Sequence, residues 1–326
     1  MIERERATHY LQQFIGEESA GFTGLPYVWL ALRRRGKLLS ARDGFAWGMV
    51  PVLIGAAVEA ETAVSFALSA AVECLMAALD ILDDIEDGDG DDALWHVCGI
   101  PTATNVATML LFLSQRAIAR VEGCGLAAGH PGTIGGALSA ACIRACMGQQ
   151  RDLDQDNSGT MDDAGYLAVI ADKSASLVGE ICRVAAVIGH DQTHIEAYAS
   201  FGFNLGMAMQ IRNDMVGVSS EEESRNDLRT GKRTLATLFA TDCAVPSLRD
   251  EAARLLHPSR GDLAPSDVHR LRRILDSSGA LHYSSVVADV YWERALDCLD
   301  RIGAIRTAGI CALVDMLHAA RPEEEM

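Results

Sequence analysis

The stretch Thr62–Leu79 constrains the fold more than any other part of the chain. It is almost wholly apolar and approaches the length of a membrane span, yet it contains Glu73 and runs directly into a series of aspartates. A charge within the segment and a cluster of charges at its end point to a buried core helix. Helical periodicity recurs along most of the remaining sequence and is interrupted by Gly, Pro or charge near 22–26, 88–92, 121–132, 155–160, 189–193, 217–233 and 258–265. Strand-like alternation does not persist anywhere. The chain is 49% hydrophobic but only 6% aromatic, a balance that suits helices better than sandwiches or barrels. These features predict an all-α protein. With no repeat, linker or compositional shift, the 326 residues are expected to form one helical bundle over 1–326, with 322–326 as a frayed acidic tail.

The formal net charge of −17 excludes a broad surface for nucleic acid or anionic lipid, because phosphate contacts require clustered Lys and Arg. An anionic substrate would need a metal to bridge it. The N-terminus, Met1-Ile-Glu-Arg-Glu-Arg, has no apolar core of a secretory signal, so a cytoplasmic protein without a membrane span is expected. Nine cysteines lack any C-x-x-C pair and read as reduced thiols, most of them in the core. Cys142 and Cys146 share a helix face, but no nearby ligands complete a zinc set. Neither a Ser-His-Asp order nor a setting for a cysteine nucleophile is visible.

Asp80, Asp83, Asp84 and Asp87 fall at offsets of three, four and seven, which places them on one helical face. Like charges at these spacings destabilise a bare helix by a few tenths of a kcal/mol per pair, so a counter-cation is expected. Mg²⁺ prefers carboxylate oxygens and keeps positions open for phosphate oxygens, which suits a diphosphate substrate. The bland alternative is a solvated acidic helix end. An EF-hand is excluded because the ordered ligands and closing Glu are missing. Far downstream, Asn213, Gly217 and Glu221 lie at i, i+4 and i+8 and could hold another Mg²⁺, with water over Gly217. Asp214 lies off that face and is expected to partner a nearby base. Arg225, Arg229, Lys232 and Arg233 follow as cations able to close on phosphate. Read alone, this second segment is explained more readily by an ordinary charged helix end followed by a loop.

Taken together these residues resemble the superfamily of trans-isoprenyl diphosphate synthases and class I terpene synthases. Asp83-Asp84-Ile-Glu-Asp87 matches its first aspartate motif, and Gly36-Lys37 resembles the start of its basic motif. Gly99-Ile-Pro-Thr102, Gly148-Gln-Gln-Arg-Asp152-Leu153, Lys173-Ser174, Gln210-Ile-Arg-Asn-Asp214 and Asp227-Leu-Arg-Thr-Gly-Lys232-Arg-Thr-Leu235 resemble further landmarks in the same order. The resemblance spans most of the chain. It implies an antiparallel α-bundle around a deep apolar cavity, about three Mg²⁺ ions, and a homodimer. It also implies metal ligands at Asp83, Asp87, Asn213, Gly217 (through water) and Glu221. Asp83, Asp84 and Lys173 are the expected catalytic groups, and Lys173, Arg212, Arg229, Lys232 and Arg233 the expected grip on diphosphate.

Departures from the pattern bear on the reaction. The basic motif reads Arg35-Gly36-Lys37-Leu38-Leu39-Ser40-Ala41 and lacks two arginines and a proline. Val97-Cys98 replaces an Arg-Arg pair, and Met76 an expected His. Each lost guanidinium removes about 1.5–3 kcal/mol of charge-assisted grip on a second diphosphate. In contrast, Asn213, Gly217 and Glu221 resemble the metal triad of terpene cyclases. The expectation from this comparison is a cyclase that ionises one diphosphate, and the rival readings are a prenyltransferase with a degenerate acceptor site or a non-catalytic regulatory relative. By resemblance to chain-length control, the small Ala77 and Ala78 favour a C20 substrate. Met76, Phe66, Phe203, Met207 and Met209 are further candidates to shape the pocket, although helical stripes of Met and aromatics more often form core.

Overall fold

The computed structural model describes residues 2–41, 44–88, 93–124, 133–158, 161–189, 193–219, 227–243, 245–257, 261–302 and 307–320. No strand occurs among them, as the sequence predicts. The helices form two compact units. The first comprises 1–138, 181–198 and 299–326, and the second 139–180 and 199–298.

In the first unit the central element is α4 (Thr62–Glu86), which packs chiefly on α6 (Ile100–Gly123) and also on α3 (Met49–Ala57) and α1 (Ile2–Glu18). α4 is long and apolar enough to cross a membrane, but 78% of its most apolar window is buried inside the protein. Its buried side chains run from Val64 to Ile81, each large one stabilising the fold by about 1.5–3 kcal/mol. Glu73, the charge within this stretch, is also buried and accepts hydrogen bonds from the Leu38 and Gly48 N–H groups at 3.0 and 2.7 Å. Burial raises its carboxyl above the usual range, while Lys37 and these two donors oppose the rise. The irregular segment between α2 (Leu25–Ala31) and α3 is thereby fastened to α4. α5 (Leu94–Cys98) ends at Gly99, whose φ of 79° is readily adopted only by glycine. Pro101 then occupies the first turn of α6, where its missing N–H has no helical partner to lose. α16 (Ala308–Ala320) closes on α3.

In the second unit, α8 (Asp163–Ile170) starts at Asp162, whose side chain accepts the Gly165 N–H at 2.8 Å. It continues through one π-helical turn, Ala171–Ala175, into α9 (Ser176–Val187). Such turns recur at functional sites. α12 (Leu235–Asp242) begins in a reciprocal capping box between Thr234 and Thr237. Its buried residues pack with α13 (Pro246–Leu255) and α14 (Pro265–Ser278) around Leu228, Ala240, Leu255, Leu271 and Leu275. A second cluster joins Tyr166, Ile170, Met207, Ile211, Leu235 and Leu238.

Several helix ends fall near the expected breaks, whereas the separations of α2 from α3 and of α3 from α4, and the π turn, were not expected from the sequence. Glu221, Arg225 and residues 322–326 lie outside the described residues.

Candidate active site

The first aspartate cluster sits at the C-terminal end of α4. Asp80, Asp83 and Asp84 belong to the helix, Asp87 is its C-cap, and no basic residue lies in the last turn. Partial negative charge from the helix dipole gathers at that end, so the carboxylates are opposed by one another and by the backbone. Cations from segment 33–37 offset two of them. Arg34 pairs with Asp84, and Lys37 Nζ meets Asp80 Oδ2 at 2.6 Å. Trp95 of α5 donates its indole N–H to the Asp84 carbonyl at 3.1 Å, satisfying one of the helix's last carbonyls.

Burial pushes Asp84 up to about 6, with Asp80 and Asp83 adding to the rise and Arg34 opposing it. Because the folded-state value exceeds the ordinary 3.8, the folded protein holds this proton more tightly than the unfolded chain does. Stability from Asp84 is therefore full below about pH 4 and falls as pH rises through about 6. Thermal melts without metal are expected to show this decline. The Asp84→Asn variant should lack it, and a variant profile parallel to wild type would refute the assignment.

Among the described residues, no three His, Cys, Asp or Glu side chains converge as a ready metal cage. The donor set still fits Mg²⁺. This ion is commonly held by one or two carboxylates, with water and substrate phosphate filling an octahedron. Asp83 and Asp87 are one turn apart on the α4 end and supply that kind of partial set. Asp84, expected as a catalytic group, is instead directed to Arg34.

A polar cluster in the second unit surrounds the π turn. Lys173 Nζ donates to Asp152 Oδ2 at 2.9 Å, and its side chain is only 10% exposed. The neighbouring Asp172 receives both Arg144 and Arg151, whose guanidinium groups hold it below the ordinary carboxylate range against its own burial. The turn lies against α7 (Ile134–Ser158) at Gly148. A Cβ there would stand 2.3 Å from the Lys173 backbone N, so only glycine admits this approach. Ser174 Oγ donates to Gln210 Oε1 at 2.7 Å, and Gln210 Nε2 to Asp214 Oδ1 at 2.9 Å. Tyr166 OH donates to Asp214 Oδ2 at 2.5 Å. Burial raises Asp214, and Lys232 and Lys173 oppose the rise. The expected base partner thus acts through space, while an amide and a phenol make the direct bonds. Tyr166 was not singled out in the sequence, where a lone Tyr carries no motif.

The rest of the second motif is arranged differently from expectation. On α10 (Ile195–Ser219), Asn213 is exposed and Gly217 half-buried. The space over Gly217 is taken by Asp227 of α11 (Asp227–Thr230), whose carboxylate oxygen would lie 2.2 Å from an added Cβ. A carboxylate, not water, therefore fills that position. Arg212 turns to α15 (Ala280–Ile302), pairing with Asp289 at 2.8 Å and stacking over Trp292 at 4.4 Å, while its Nη1 is buried without a hydrogen-bond partner among the described residues. Arg233 donates to the Leu256 carbonyl at the end of α13, and Arg229 meets Asp262 at the surface. Of the five cations expected on diphosphate, Lys173 and Lys232 are the two that border the Asp152–Asp214 cluster of the second unit. Lys232 is half-buried beside Asp227, whose carbonyl accepts its backbone N–H at 2.9 Å.

Several expected pocket residues are core. Ala77 and Ala78 are 1% and 0% exposed and touch no water-sized space. Met207 is buried in the Tyr166 cluster with Phe203 at its edge. Met76 and Met209 are half-buried. Phe66 faces α1, packing on Tyr10 and Arg6 along an open groove of about 390 Å³.

The polyprenyl synthetase family profile matches residues 46–275, well over half of the chain. Geranylfarnesyl diphosphate synthase of Aeropyrum pernix is 34% identical over 174 residues, 52% of this chain and 53% of that protein. Tryptophan prenyltransferase ComQ of Bacillus subtilis subsp. natto is 33% identical over 171 residues, 52% of this chain and 49% of the relative. The chain thus matches about half the length of these two curated relatives. A crystal structure of geranylgeranyl pyrophosphate synthase shares the fold, with a TM-score of 0.76 at 18% identity, covering 98% of this chain and 99% of that one.

These relationships overturn the cyclase expectation. The family and its relatives are synthases and prenyltransferases, and a shared donor site cannot distinguish cyclisation from transfer. On the sequence match and the shared all-α fold together, this chain belongs to the polyprenyl synthetase family.

Proposed function

We propose that the protein is a prenyltransferase that draws its prenyl group from an allylic isoprenyl diphosphate. The observation that carries this reading is the family match, which includes the carboxylate-bearing end of α4. Asp83 and Asp87 would hold Mg²⁺ there. Mg²⁺, when bound, neutralises the leaving diphosphate. The allylic C–O bond breaks with its electron pair going to the diphosphate. The acceptor's π electrons then form a C–C bond to the allylic carbon, and loss of a proton restores the double bond. Apolar surroundings exclude water, which would otherwise quench the cation. Support also comes from the relatives' names, which specify diphosphate synthases in one case and transfer to tryptophan in another. A homodimer accords with exposed Ile143 and Met147, one turn apart on α7.

The test is incubation of the purified protein with labelled C10, C15 or C20 allylic diphosphates, Mg²⁺ and either isopentenyl diphosphate or an indole acceptor. A prenylated acceptor and free diphosphate are expected in equal amounts. Failure to consume any donor with any acceptor would sink the reading.

A further inference from the structure

Segment 33–37, Arg33-Arg34-Arg35-Gly36-Lys37, carries four cations, two of which reach the acidic end of α4. Arg33 and Arg35 are exposed, whereas Arg34 and Lys37 reach α4 carboxylates. The two inward pairs differ in kind. Arg34 and Asp84 keep 22% and 21% side-chain exposure, whereas Lys37 keeps 2% and Asp80 43%. The Lys37 ammonium therefore comes up through packed protein and meets Asp80 from beneath, with the carboxylate between it and solvent. Glu73, buried two turns earlier on α4, feels the same ammonium from within. A buried ammonium requires an anion, and here protein carboxylates supply it. An incoming diphosphate at this corner meets the negative charge of Asp80 before it can reach Lys37. The nearby α5 residues Val97 and Cys98 add no positive charge.

We infer that Asp80 is a specificity-determining residue: by taking the Lys37 ammonium it closes this corner to a second diphosphate and commits the enzyme to an acceptor without phosphate, an uncharged π nucleophile. This rests on the prenyl-transfer reading and narrows its acceptor. Similarity to a prenyltransferase named for tryptophan, an acceptor without phosphate, agrees with it.

The test compares the full chain with Asp80→Ala and with the double variant Asp80→Ala/Lys37→Met. Two quantities are measured: the KM for isopentenyl diphosphate in Mg²⁺ with an allylic donor, and metal-free binding of isopentenyl diphosphate by calorimetry. Wild type is expected not to saturate below about millimolar acceptor, and Asp80→Ala to bind at least about tenfold more tightly, the scale of one charge-assisted contact. The double variant should lose that gain. Glu73 remains as a counter-charge to Lys37 in the single variant, which favours its folding. If circular dichroism shows it unfolded, Asp80→Asn, which keeps shape but not charge, replaces it with the same expectations. Micromolar saturation of wild type, or no change on removing Asp80, overturns the inference while leaving prenyl transfer intact. If no variant consumes a donor, prenyl transfer itself fails, and calorimetry still decides the role of Asp80.

Discussion

Asp83→Ala is expected to lower kcat/KM for the allylic donor about a thousandfold, because metal charge stabilisation is worth several kcal/mol and each 1.36 kcal/mol is a factor of ten. The same substitution removes one negative charge from a crowded helix C-terminus, which offsets the loss of its own contacts, so stability should change by no more than a few tenths of a kcal/mol. The α4 end has four aspartates, counting the cap, and no basic residue in its last turn. A residue kept only for structure would behave in the reverse way, with stability lost and activity falling in proportion to the folded fraction. Steady-state turnover and thermal melts on the same preparation separate the two. Activity within a few-fold of wild type in a folded variant would remove Asp83 from the metal site.

Gly148→Val should have the largest effect on the fold. The added Cβ would stand 2.3 Å from the Lys173 N, 2.7 Å from its Cα and 2.8 Å from the Asp172 carbonyl carbon. All three are backbone atoms of the π turn and cannot rotate away as a side chain could. Overpacking of this kind costs about 1–3 kcal/mol or more. Relief requires the turn to move, which takes Lys173 away from Asp152. A denaturant midpoint well below wild type, with lost donor turnover under conditions where the variant is still folded, is the expected pair of results. Gly123→Ala serves as the control, because its added methyl meets nothing within 4 Å. Equal midpoints for the two variants would show that the contact at Gly148 yields easily.

The parts legible in the sequence were those governed by local spacing. The apolar run from Thr62 located α4, and Gly, Pro and charge located many of the helix ends, because a helix answers to its own neighbours. The face shared by Asp80, Asp83, Asp84 and Asp87 follows from the same geometry. Less was legible where a side chain's role depends on another element. Arg212 stands beside Asn213 in the sequence, yet it is spent on Asp289 and Trp292 of α15. Gly217 looked like a gap in a metal triad, and only the return of the chain through α11 shows Asp227 filling it. The run Arg33-Arg34-Arg35 was a detectable sign of counter-charge for the acidic helix, but its partners were not.

By itself, then, the sequence determined an all-α chain with an anionic helix end suited to a divalent cation, since backbone periodicity and charge spacing are properties of contiguous residues. Tertiary structure alone decided which cations stay near that end and which are consumed elsewhere. It paired Lys37 with Asp80 and Arg34 with Asp84 across 43 and 50 residues of chain. The physical reason is that a buried charge takes whichever counter-charge packing brings within hydrogen-bond reach, and chain separation says nothing of that distance.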